Sequence, residues 1–98
     1  MQLLQSGKWN KNISVSDLLE RKGCDEFALL EEQMYIRGYR YEIWWYAYQG
    51  GNHIVAKQCH YPYTLYFFRL DSGDLFRVQD FRRYMETGEL LQPIMRRK

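Results

Sequence analysis

Tyr39-Arg40-Tyr41-Glu42-Ile43-Trp44-Trp45-Tyr46-Ala47-Tyr48, followed by Gln49-Gly50-Gly51-Asn52, is the stretch whose reading decides the fold. Successive side chains of a strand point to opposite faces. Tyr41, Ile43, Trp45 and Ala47 therefore share one face, and Arg40, Glu42, Trp44, Tyr46 and Tyr48 share the other. Gln49 to Asn52 reads as a hairpin turn, because glycine and asparagine accept positive φ at little cost. His53 to Cys59 is then the returning strand. Tyr61-Pro62-Tyr63 is a corner, since proline cannot donate to a ladder.

Moving outward, Thr64 to Leu70 reads as a third strand with rings on both faces. Asp71 to Asp74 is a turn, and Leu75 to Val78 a short fourth strand. Asp80 is placed to cap a final helix with Phe81, Tyr84 and Met85 on its inner face and Gly88 at its end. On the N-terminal side, Ser14-Val15-Ser16-Asp17 matches a capping box that opens a short helix stopped by Gly23. Asp25 is read as the cap of a second helix, with Phe27, Leu30 and Met34 as its main apolar stripe; Tyr35-Ile36 in its last turn also suits a strand, and Gly38 ends it either way. The expected class is α+β: an antiparallel meander of three to four strands, two short N-terminal helices and one C-terminal helix.

The chain has 98 residues, enough for one domain with a single modest core. Residues 1–12 read as a polar lead-in anchored by Trp9, and 92–98 as a basic tail. Hydrophobic residues make up 46 % and charged residues 27 %, so the composition is that of a folded globular protein. Nine Tyr, three Trp and five Phe are a heavy aromatic load for this length. Met1 to Leu4 is too short for the apolar core of a secretion signal, and no apolar run approaches a membrane span. With only Cys24 and Cys59 and no export signal, a cytoplasmic protein with free thiols is expected.

Chemistry-bearing patterns are weak. Cys24, His53, Cys59 and His60 lack metal-ligand spacing, and adjacent Cys59 and His60 point to opposite sides of a strand. A Cys–His nucleophilic pair has no local signature. Gly50-Gly51 is a turn and not a phosphate loop. Glu31-Glu32 reads as a solvated pair on a helix surface. The expectation is a protein without enzymatic activity and without a cofactor or metal.

A winged-helix reading fails on charge, because Asp25, Glu26, Glu31 and Glu32 on the would-be recognition helix would meet phosphates of the same sign. The net charge of +2 is too small to argue for nucleic acid by itself. It is unevenly spread: residues 1–49 hold six Lys/Arg against seven Asp/Glu, and residues 50–98 hold eight against five.

The aromatic surplus carries the functional expectation. Trp44, Tyr46 and Tyr48 line one face, and Tyr66 and Phe68 are expected to continue it. If helices cover only one side of the sheet, these rings are an exposed patch, and such patches mark interaction sites. Helices on both sides would hide them. Trp, Tyr and Arg are also common hot-spot residues. The candidate partner-binding set is therefore Trp44, Tyr46, Tyr48, Tyr66 and Phe68, with Arg82 and Arg83 on the outer face of the last helix as rim contacts. The expected partner is a protein. A second copy of the chain joined through the aromatic face is a further option, and no membrane is implied.

In style rather than in residues, the profile resembles that of small accessory proteins carried by phages and other mobile elements. That likeness implies a binding protein that inhibits or modulates a larger host complex, either a nucleic-acid enzyme or defence machinery, in the host cytoplasm. The alternative is a single-stranded nucleic-acid-binding module that stacks bases on the aromatic sheet face beside arginines.

Overall fold

The computed structural model describes residues 1–10, 12–71 and 77–88. In chain order the elements are β1 (Gln2–Lys8), α1 (Val15–Lys22), β2 (Phe27–Ile36), β3 (Tyr39–Tyr48), β4 (Gly51–Gln58), β5 (Thr64–Leu70) and α2 (Val78–Thr87). The class is α+β, built on one antiparallel five-stranded sheet in the order β1-β5-β4-β3-β2.

Strands β3, β4 and β5 form three strands of the expected meander, β2 joins them at the edge, and the alternation over Tyr39–Tyr48 sets the faces. Tyr48 pairs with Gly51, leaving Gln49 and Gly50 as a two-residue loop. Their φ values are 50° and 77°. The β2–β3 link is built the same way, with Arg37 at 54° and Gly38 at 85°. Positive φ at both central positions is what a type I′ turn requires, and that turn matches the right-handed twist of the strands.

Two expectations are corrected here. Residues 27–36 form a strand and not a helix. The β2–β3 register slips by one residue between Leu29 and Glu31, and again between Glu31 and Met34. Each slip is a bulge, in which two residues oppose one. Ala28, Glu31, Met34 and Ile36 stand opposite Trp45, Ile43, Tyr41 and Tyr39. Residues of one face thus recur at spacings of three, three and two, which imitates helical periodicity. The second correction concerns the lead-in, where Gln2–Lys8 is an edge strand on β5. Its side chains are nearly all exposed, so no alternation announces it. The expected turn at residues 71–74, the expected strand at 75–78 and the tail at 92–98 fall wholly or largely outside the described residues; Val78 belongs to α2.

Helix α1 is capped as its sequence dictates, whereas α2 starts without a side-chain cap. Ser14 Oγ accepts the Asp17 amide at 3.2 Å, and Gly23 closes α1 in the left-handed conformation. Arg77, not Asp80, is the N-cap of α2. Asp80 instead receives two bonds from the Arg77 guanidinium, at 3.0 and 3.1 Å.

Strands β1 and β2 occupy opposite edges, so the chain between them must cross the whole sheet. Five strands span about 19 Å at 4.8 Å per step. The crossing carries α1, whose Val15 and Leu19 pack with Cys24, Tyr46, Val55 and Leu65. On the other face Phe81 of α2 packs with Met34, Ile36, Tyr41, Ile43, Ile54, Ala56 and Phe68. Each face therefore carries one helix and its own core layer. An eight-residue α1 is only about 12 Å long, so it leaves part of its face uncovered.

Candidate binding surfaces

The expected ring patch does not form a single surface. Trp44, Tyr46 and Tyr48 belong to the α1 side, whereas Tyr66 and Phe68 belong to the α2 side. The register is the reason: Tyr66 stands opposite Ala56, which stands opposite Ile43. Tyr46 and Phe68 are completely buried. Trp44, Tyr48 and Tyr66 are half-buried. Arg82 is half-buried and Arg83 exposed on α2, across the sheet from Trp44.

The exposed apolar surface lies elsewhere. Among the described residues, the large apolar side chains open to solvent are Leu4, Leu29, Leu30, Tyr35, Tyr39 and Tyr61. Four of these six belong to β2 or the first residue of β3. Strand β2 is an edge strand ten residues long, with one side of its backbone unpaired by the sheet. Leu29 is paired with Trp44 on the α1 side, and the Trp44 ring lies 6.2 Å from that of Phe27. The Trp44 indole N–H donates to Glu42 at 3.2 Å. The half-buried indole thus joins a strip that runs out to the edge. Reading residues 27–36 as a helix concealed this edge.

The two candidate nucleophiles are Cys24, which is buried, and Cys59, which is half-buried. Burial pushes the thiols of Cys24 and Cys59 above their usual range, outweighing the nearby cations Lys22 and Arg40 respectively. A raised thiol is less nucleophilic at neutral pH. Tyr41 and Tyr46 are each pushed up to about 12, chiefly by burial. Among the described residues, no group of three or more His, Cys, Asp or Glu is arranged to hold a metal ion. No helix among them is long and apolar enough to cross a membrane.

One cavity, of about 370 Å³, opens on the α1 side where α1 stops short. It lies between the last turn of α1, the β3–β4 turn and the adjoining parts of β5 and β1. The His53 ring stacks on Tyr46, with centroids 5.1 Å apart and planes 22° from parallel. Tyr48 meets His53 edge-on at 6.0 Å. Lys22 Nζ sits 4.6 Å above the Tyr48 ring. Burial lowers the His53 pKa, and the charges of Lys22 and Arg69 lower it further, against a backbone contact with Gly51 that raises it.

No protein-family model matches the chain, and neither a curated protein nor a solved structure does.

Proposed function

We propose that this chain is a small binding protein without chemistry of its own, which docks on a larger protein complex of the host cell and inhibits or modulates it. One observation carries the reading: among the described residues, three of the six exposed large apolar side chains, Leu29, Leu30 and Tyr35, stand on the unpaired edge strand β2. An open edge offers a ladder of backbone donors and acceptors to an extended segment of a partner, and alternate side chains supply specificity. Leu29, Leu30 and Tyr35 are the anchors, with Trp44 behind Leu29. Glu32 and the half-buried Glu31 interrupt the strip. Charge and bulges of this kind blunt indiscriminate edge pairing. The mechanism is occupancy, which fits raised thiols and the scattered titratable groups.

The test is co-purification from the native host with wild type and with the double variant L29K/L30K, followed by reconstitution with the purified partner. Both substitutions fall on exposed positions, so circular dichroism and Tm should match wild type. Stoichiometric binding by wild type that fails in the variant supports the proposal. Equal binding by both proteins would overturn it, as would a wild type that binds nothing but a second copy of itself.

A further inference from the structure

We infer that the cavity beside the β3–β4 turn is a binding site for a nucleoside monophosphate group. Its size lies in the range of small-ligand sites. Two cations reach it from separate elements, Lys22 from the last turn of α1 and Arg69 from β5, and no carboxylate is among its lining residues. Arg69 is held by its neighbours: its Nη2 donates to Gln2 Oε1 at 2.6 Å and lies 3.5 Å from Asp71 Oδ1. Asp71 offsets part of that positive charge, and Lys22 supplies the rest of the excess. A phosphate monoester carries about −1.5 to −2 at neutral pH, which complements such a pair.

The remaining walls select for what the phosphate is attached to. Phe67 presents flat apolar surface, Tyr48 adds a second ring with one face under Lys22 Nζ, and base–ring stacking is a recurrent mode of nucleotide capture. Gln5 and Gln49 add side-chain amides that can both donate and accept, as the edge of a nucleobase requires. A phenyl phosphate has no such edge, so the amides favour a nucleotide over a phosphorylated tyrosine. His53 lines the same cavity, and its pKa is lowered chiefly by burial, with smaller contributions from the charges of Lys22 and Arg69.

A free nucleotide and the 5′ end of a single strand offer the same group, and the experiment separates them. The intact chain is titrated with adenosine, guanosine, cytidine and uridine 5′-monophosphates, followed by calorimetry and by the NMR signals of His53. Adenosine, inorganic phosphate, phosphotyrosine, and a short single strand with and without a 5′-phosphate serve as comparisons. At least one mononucleotide should bind more tightly than phosphate or nucleoside alone and should raise the His53 pKa. Lys22→Gln and Arg69→Gln, both at exposed positions, should each weaken binding by about tenfold. Tighter binding by the 5′-phosphorylated strand than by the mononucleotide assigns the group to a strand end; the reverse assigns it to a free nucleotide.

The inference is overturned if no mononucleotide moves the His53 signals, if phosphate or phosphotyrosine binds as well, or if neither variant weakens binding. Neither Leu29 nor Leu30 lines the cavity, so this site and the partner edge fail or succeed separately.

Discussion

Leu29 stands directly opposite Trp44 across the β2–β3 ladder, which places an exposed leucine and a half-buried indole on the same face at the sheet's edge. The pair divides its labour between stability and recognition. Trp44 packs against the α1-side core and ties its N–H to Glu42, so it belongs partly to the fold. Leu29 is 42 % exposed and has little packing to lose.

Trp44→Ala should therefore cost about 2 kcal/mol of folding stability, below the 3–5 typical of a fully buried ring. Leu29→Ala should cost under about 1 kcal/mol. Both should weaken partner binding, Leu29→Ala without a matching loss of Tm. Urea denaturation alongside a binding titration separates the two effects. A Leu29 variant that is badly destabilised yet binds normally would reverse the assignment.

His53 gives the fold a pH dependence whose sign follows from its surroundings. Burial and the charges of Lys22 and Arg69 depress its pKa in the fold, so the unfolded chain takes up a proton at higher pH than the native one does. Stability then rises with pH between the folded pKa and the unfolded value near 6.5, and falls as the solution is acidified through that window. The slope from this one group is at most about 1.4 kcal/mol per pH unit. Comparing Tm from pH 7.5 to 5 for wild type and His53→Gln isolates it: the variant should show the shallower decline.

Cys24 is buried and Cys59 half-buried, and both thiols titrate above their ordinary value because burial disfavours the thiolate. At pH 7.5 iodoacetamide should modify Cys24 only at the rate of unfolding, and Cys59 more slowly than a free thiol. Mass spectrometry of a labelling time course checks this. Rapid alkylation of either residue would return nucleophilic chemistry to consideration.

The parts of this structure that sequence reading reached are those with an uninterrupted period. Tyr39–Tyr48 and the Gln49-Gly50 turn follow from alternation and turn chemistry, and Thr64–Leu70 from its run of strand-forming rings between two turns. The β2 strand does not: Phe27, Leu30 and Met34 are spaced like one stripe of a helix, whereas in the bulged strand Phe27 packs on the α1 side and Met34 on the α2 side. Nor does β1, since an edge strand with nearly every side chain in water has no apolar period to read. The candidate patch failed for a third reason. Which face Tyr66 and Phe68 share depends on register across the β4–β5 link, and alternation within each strand fixes parity only inside that strand. Had the register differed by one residue, Phe67 would have exchanged faces with them.

Phe81 is the peg that fastens α2 to the sheet. It is completely buried, and its ring meets those of Tyr41, Tyr66 and Phe68 at 5.7, 6.4 and 5.9 Å. Phe81→Ala removes all three edge contacts and opens a cavity in the α2-side core. The expected loss is about 3–5 kcal/mol, a large share of the stability of a domain this size. Chemical denaturation measures it directly. A loss below about 1 kcal/mol would mean that α2 is not held by this ring.

The β3–β4 turn offers the converse, a gain in stability. Gln49 sits at φ 50°, where a side chain with a Cβ is strained, and Gly50 follows at 77°. Asparagine tolerates the left-handed region better than glutamine, and Asn-Gly is the preferred pair for this turn. Gln49→Asn should raise stability by about 0.5–1 kcal/mol, a shift in Tm of roughly 2–8 °C for a domain of this length. Gly50→Ala should do the opposite, losing about 1 kcal/mol or more, because the added Cβ meets no neighbouring atom and pays only for the backbone. The two variants differ in sign while touching adjacent residues of one loop, so scanning calorimetry on the pair reads turn strain with little contribution from packing. If both lower Tm alike, the loop is not held in the conformation that sets the hairpin register.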